Sequence, residues 1–324
     1  MKVLVTGAAG FIGFHTAKAL VAGGHSVVGV DSLSPYYGIG LKKARLAALG
    51  DSISFHERNV AAREVFGSFV SEQAPDVVVH LAAQPGVRHS IDHPFDYAEA
   101  NLLGHLSVLE ACRHAPSVSH LVYASSSSVY GDTSTLPLSE DQAAADPVSL
   151  YAATKRADEL MSTAYAHLYG LKQIGLRFFT VYGPWGRPDM AYWMFTQRIF
   201  DGEPIRVFNG GQMRRDMTYV DDVVSGLCAT IEGPPEFASG ATTHKVYNVG
   251  NSRPETLIEM IEVIERLVGK PANRIMEPMQ PGDVTETYAD IRRFQADYGY
   301  TPQTRMQDGL AVFVDWYRDW RGRD

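Results

Sequence analysis

In the stretch YAATK, Tyr151 and Lys155 stand four residues apart. On a helix that spacing puts both side chains on one face. An ammonium beside a phenol favours the phenolate and lowers the phenol pKa, so the pair could supply a general base near neutral pH. Upstream, YASSSSVYG sets Ser125 to Ser128 directly after an apolar run. Hydroxyls there could bond a reacting alcohol or simply be solvated in a loop. Near the start, GAAGFIG places Gly7, Gly10 and Gly13 between a strand-like run and a helical one. Glycines at this spacing permit a tight turn, close approach of backbone to a pyrophosphate and close helix–strand packing. The N–H groups of the helix start, at Phe11 and Ile12, then face the anion. Asp31 follows Gly13 by eighteen residues, at the end of the second apolar run. An acid there accepts from a ribose 2′-hydroxyl and repels a 2′-phosphate, which selects NAD over NADP.

A fourth group is a cation. In RFFTVYGPWGRPDMA, Arg187 sits between Gly186 and Pro188, in a segment too rich in Gly and Pro for a helix or a central strand. Such an Arg either pairs with a surface carboxylate or clamps a ligand carboxylate or phosphate through its planar fork. His80, which ends the run DVVVH, reads as a packed residue at a strand end. Cys112 and Cys228 have no metal or redox spacing and read as buried free thiols, as in a reducing cytosol.

The elements that must position these groups alternate. Apolar runs at 2–7, 25–31, 52–59, 76–83, 120–126 and 172–179 read as strands, with helical patterns between them. Two of those helices are long, one through FDYAEANLLGHLSVLEACRHA and one over 149–170. This is the pattern of βαβ units, hence an α/β fold: a Rossmann-type, doubly wound parallel sheet with helices on both faces. Beyond residue 180 the alternation decays into a smaller mixed α/β region covering the sheet's C-terminal edge, where ligands bind in such folds. The expected division is 1–179, with 215–250 returning to it, for the dinucleotide, and 180–214 with 251–324 for a substrate. A net charge of −8 and a pI of about 5.8 argue against a general nucleic-acid binder. No apolar run reaches the length of a membrane span, and MKVLVTG is strand-like rather than a leader, so a cytoplasmic protein is expected.

The glycine spacing, Asp31, HLAAQ (80–84), SSSSVYG and the Tyr151/Lys155 pair together resemble the extended short-chain dehydrogenase/reductase family over nearly the whole chain. The resemblance implies NAD on the Rossmann domain, a nucleotide-diphosphate sugar on the C-terminal region, and no metal. It implies Tyr151 as general base, Lys155 on the nicotinamide ribose, and Ser126 bridging the sugar hydroxyl and the phenol. Asn59, with Val60, stands where the family often has an acid for adenine, and an amide can still bond the base. Leu81, Ala82 and Ala83 line the cofactor side. RRDMTYVDDVV is similar to the family segment in which Arg215 contacts the diphosphate, with a local Arg215–Asp216 ion pair as the plainer reading. QPGD is similar to its uridine-side turn, with Asp283 near ribose and Gln280 where other members carry Arg. The family further implies a homodimer through helices at about 92–115 and 149–169.

Family dehydratases carry Thr-Asp-Glu, and nucleotide-sugar decarboxylases carry Glu, within the stretch that here reads Ser126-Ser127-Ser128. With no carboxylate there, simple oxidation and re-reduction at C4 remains. TVYGPWGRPDMA and DSLSPYYGIGLKKARL are similar to the branch that epimerises UDP-glucuronate at C4. That likeness puts Arg187 on the C6 carboxylate, with Thr180 nearby and Ser127 and Ser128 on the sugar. Oxidation at C4 makes a β-keto acid, which loses CO₂ when the carboxylate bond aligns with the carbonyl π system. A bidentate Arg can hold the carboxylate out of alignment. Arg88, in QPGVRHS, is a second candidate cation, for substrate or solvent. A 4-epimerase of neutral UDP-sugars, a UDP-glucuronate decarboxylase and an NAD-binding sensor without turnover are the competing expectations.

Overall fold

The computed structural model describes residues 1–133, 135–234, 237, 242–279 and 284–322. The first half runs β1 (Lys2–Thr6), α1 (Phe11–Ala22), β2 (Ser26–Asp31), α2 (Ile39–Leu49), β3 (Ser54–Glu57), α3 (Arg63–Gln73) and β4 (Val77–His80). It continues through α4 (His89–Asp92), α5 (Pro94–Tyr97), a π-helical segment (Ala98–Leu103), α6 (Gly104–His114), β5 (His120–Ser126), α7 (Leu150–Tyr169) and β6 (Gln173–Phe178). The second half holds β7 (Thr180–Tyr182), α8 (Ala191–Asp201), β8 (Ile205–Phe208), β9 (Arg214–Tyr219), α9 (Val220–Glu232) and β10 (His244–Val249). The chain closes with β11 (Pro254–Thr256), α10 (Leu257–Val268), β12 (Arg274–Glu277), α11 (Arg292–Tyr298) and α12 (Met306–Arg321).

Seven strands form one parallel sheet in the order β10-β6-β5-β4-β1-β2-β3. Strands such as VVVH in β4 are buried along their whole length, as a sheet covered on both faces requires. One apolar layer carries Phe14, Leu20, Val223 and Leu227 from α1 and α9; the other carries Phe66, Phe69, Val108 and Leu109 from α3 and α6. The order reverses where β2 and β4 flank β1, so the C-terminal ends of these strands open a crevice.

Several details differ from the sequence reading. The long helix before β5 is interrupted by the π segment, which the apolar periodicity did not signal. β10 does return to the main sheet beside β6. β9 pairs with β7 and β11 in a separate three-stranded sheet. Both cysteines are free, but Cys228 is only partly buried. Among the described residues no helix is long and apolar enough to cross a membrane.

Candidate functional site

The glycine loop joins β1 to α1. Gly7 has φ +72°, and a Cβ there would lie 2.8 Å from the backbone of Leu81 and Ala82. A Cβ on Gly13 would lie 2.0 Å from the Gly7 carbonyl oxygen, so helix and loop touch only because both are glycine. Gly10 caps α1 without a side-chain acceptor, and the first turn, with Phe11 and Ile12, carries no acid. Those helix N–H groups therefore fit an anion such as a pyrophosphate. Asp31, buried at the end of β2, accepts from the N–H of Ala9 (3.2 Å) and of Leu33 (2.8 Å), and pairs with Lys42 at 3.3 Å. A carboxylate has about four lone-pair sites, so acceptor capacity remains for a hydroxyl. Asn59 donates to Glu99 (3.3 Å) and accepts from Ala61, and Val60 is buried beside it. Leu81, Ala82 and Ala83 leave the end of β4, half-buried.

α7 begins at Ser149, whose hydroxyl accepts from the Ala152 N–H, and stops at the left-handed Gly170. Tyr151, in the first turn, is half-buried and packs edge-on to Tyr97 at 6.1 Å. Lys155, one turn on, is buried and donates to Asp158 at 2.9 Å. Burial pushes the Asp158 carboxyl up to about 6 while Lys155 opposes it. Asn101, in the π segment, locks this helix in place. It bonds the Thr154 hydroxyl (3.0 Å) and both main-chain groups of Gln84. Ser126, at the end of β5, accepts from the Ser128 N–H at 3.2 Å and its hydroxyl reaches that of Ser128. Ser127 and Ser128 are half-buried. Ser125 is committed elsewhere, donating 2.7 Å to the buried Glu159, which Arg177 grips with two bonds. His80 is a packed residue as the sequence suggests: it is bonded to Thr6 and stacked on His105, and burial depresses its pKa to about 3.

Arg187 is paired. Its fork meets Asp189 through Nε–Oδ1 at 3.0 Å and Nη2–Oδ2 at 2.6 Å. Tyr36 donates to the same carboxylate at 3.1 Å. Burial works against the Arg187 charge, but Asp189 outweighs it and raises the pKa, and Tyr151 is also near enough to contribute. Burial and Asp189 in turn push the Tyr36 phenol up to about 12. Thr180 opens β7, half-buried. The loop itself is held by Arg45 of α2, a fully buried cation. Arg45 donates to Trp185 O (3.0 and 2.6 Å), Gly186 O (2.8 Å), Ala9 O (2.9 Å) and Tyr37 Oη (2.8 Å). His15 of α1 adds a bond to Pro184 O at 2.8 Å. The dinucleotide loop and the Arg187 loop are thus fastened to each other.

Arg88 is exposed and lies over the Phe208 ring at 5.4 Å. Arg215 donates to the carbonyls of Arg214 and Thr285, while Asp216 is buried on the N–H groups of Asn251, Ser252 and Ala289. Gln280 and Asp283 lie outside the described residues. Asp189, Tyr36, Arg45 and Asn101 are site residues that sequence reasoning did not single out. Asp189 had a signal, an acid two residues after the candidate cation.

Residues 3–250 match the model of the NAD dependent epimerase/dehydratase family. A probable UDP-glucuronate 4-epimerase of Rhizobium meliloti (strain 1021) is 42% identical over 331 residues, covering 98% of this chain and 97% of its own. Among solved structures, UDP-glucuronic acid 4-epimerase from Bacillus cereus, in complex with UDP-glucuronic acid and NAD, superposes with a TM-score of 0.91. It is 33% identical and the match covers 99% of this chain and 100% of that one. UDP-glucose 4-epimerase from Thermotoga maritima, with UDP-glucose, reaches a TM-score of 0.89 at 29% identity, over 99% and 100% of the two chains.

Proposed function

This chain belongs to the NAD dependent epimerase/dehydratase family, and we propose that it is an isomerase that inverts C4 of UDP-glucuronate to give UDP-galacturonate without decarboxylation. NAD, when bound, would supply the hydride acceptor and donor for C4 of the sugar. Gly7, Gly10 and Gly13, with the N–H groups of Phe11 and Ile12, hold its pyrophosphate. Asp31 holds the adenosine ribose, Asn59 and Val60 the adenine, and Leu81 to Ala83 with Lys155 the nicotinamide side. Tyr151 accepts the proton of the C4 hydroxyl and later gives it back, with Ser126 sharing that hydrogen bond. Ser127, Ser128 and Thr180 orient the sugar, and Arg88 and Arg215 face the diphosphate. Residues 1–179 with 215–250 serve the cofactor, and 180–214 with 251–324 serve the nucleotide sugar.

One observation carries the choice of a uronate. The Arg187 fork, beside Tyr151, already grips a carboxylate with two bonds. A substrate carboxylate exchanged for Asp189 keeps both bonds and the charge balance. A fork that grips the carboxylate by two bonds also restricts its rotation relative to the C4 carbonyl. The test is purified protein with UDP-glucuronate, the products separated by chromatography, wild type against Arg187→Ala. UDP-galacturonate with almost no UDP-pentose supports the reading. UDP-pentose as main product, or turnover of UDP-glucose alone, overturns it.

The active form is a homodimer built on α6 and α7. Leu106, Leu160, Leu168 and Tyr169 stand exposed along these helices, with Leu103 just before α6, an apolar face that water disfavours. A cytosolic location suits two free cysteines.

A further inference from the structure

We infer that His89, His93 and Asp96 form a binding site for a divalent cation of the zinc class, at the corner between α4 and α5. The three side chains offer one ligand atom each, and these atoms lie within 4.8 Å of one another. His89 Nε2 and Asp96 Oδ2 are 3.4 Å apart. Two ligands at 2.0–2.1 Å from a tetrahedral zinc ion stand about 3.4 Å apart. One edge of a coordination tetrahedron is therefore present in the resting side-chain positions.

His93 supplies the third vertex. Its ring lies 4.2 Å from that of His89 and 20° from parallel. The His93 N–H donates to the His89 carbonyl at 3.0 Å, closing the turn that brings the two rings together. Pro94 follows at the first position of α5, fixing its own φ and restricting the backbone of His93. The corner is thus stiff before an ion arrives, which lowers the ordering cost of binding. Two imidazoles and one carboxylate, with no thiolate, suit Zn²⁺, Co²⁺ or Ni²⁺ rather than Ca²⁺ or Mg²⁺, and a water completes a site of the open kind. His93 and Asp96 are exposed, so an ion has direct access.

The site shares no residue with the proposed chemistry but adjoins it, since Arg88 directly precedes His89. The His89 ring is 4.8 Å from that of Tyr36, whose hydroxyl holds Asp189.

The experiment uses tag-free full-length protein titrated with Zn²⁺ by calorimetry, and with Co²⁺ while following its visible ligand-field bands. Expected is saturation at one ion per chain in the micromolar range, with Co²⁺ bands of a tetrahedral N/O site and a melting temperature raised by zinc. His93→Ala and Asp96→Asn should each weaken binding at least about tenfold. Both should keep the wild-type circular dichroism without metal, since both side chains are exposed. His167→Ala, an exposed histidine elsewhere, should change nothing. Binding no tighter than millimolar in the wild type overturns the inference. So does micromolar binding that survives in both site variants, which would put the ion on other surface histidines.

Discussion

Arg45 offers the sharpest test of how this site is assembled. It is fully buried and its five hydrogen bonds end on three main-chain carbonyls and one phenol. Arg45→Met keeps much of the volume and removes every donor. The carbonyls of Ala9, Trp185 and Gly186 are then left without this partner. At about 1–1.5 kcal/mol for each carbonyl after partial rehydration, the variant should lose about 3–4.5 kcal/mol of stability. Urea unfolding followed by tryptophan fluorescence measures that loss, since Trp185 itself reports the loop. The functional consequence is more specific. Arg45 ties the dinucleotide loop at Ala9 to the Arg187 loop at Gly186, so KM for UDP-glucuronate and the dissociation constant for NAD should both rise, by about tenfold or more. Arg45→Lys keeps the charge and three donors and should fall between wild type and Arg45→Met. A loss below about 1 kcal/mol with both constants unchanged would refute the idea that one side chain organises two loops.

Asp189→Asn removes the carboxylate that competes for Arg187; KM for UDP-glucuronate should fall about threefold or more while that for UDP-glucose stays put, as steady-state kinetics will read. A rise in KM would instead make Asp189 a support for Arg187. Asp158→Asn removes the buried carboxylate to which Lys155 donates at 2.9 Å, so the dissociation constant for NAD should rise about threefold or more, as fluorescence titration will read. An unchanged constant would leave Asp158 a packing role only. Burial lowers His15 and His244 to about 4 and His80 to about 3, from 6.5. The unfolded chain therefore takes up protons that the native state refuses, and stability should fall as pH drops from about 6.5 toward 4. The loss is about 2 kcal/mol per histidine between pH 8 and pH 5, measurable by urea melts across that range.

Local geometry was legible in the sequence and long-range partnership was not. The glycine loop could be read because each glycine answers a steric demand within its own turn: Gly13 packs on Gly7. The Tyr151/Lys155 face could be read because a helix repeats. Arg45 sits inside DSLSPYYGIGLKKARL, yet its partners at Trp185 and Gly186 lie 140 and 141 positions away, beyond any periodicity. The Ser125–Ser128 run shows the limit from the other side. Ser125 turns to Glu159 while Ser126 ends the strand toward the crevice, and four identical letters cannot tell which. The π segment was missed because an extra residue in a helical turn leaves the apolar pattern nearly intact. Only the fold shows what it does, which is to aim Asn101 at Thr154.

The placement of β10 has a consequence for biosynthesis. β6 ends at Phe178 and its outer neighbour ends at Val249. A ribosome adding about 5–20 residues per second needs roughly 4–14 s to make the intervening chain. Through that interval β6 presents a bare parallel edge of six buried residues, QIGLRF, to whatever is nearby. A fragment cut after residue 179 would hold that edge open permanently and should be recovered as aggregate. The chain between β6 and β10 is thus made before the seven-stranded sheet can close.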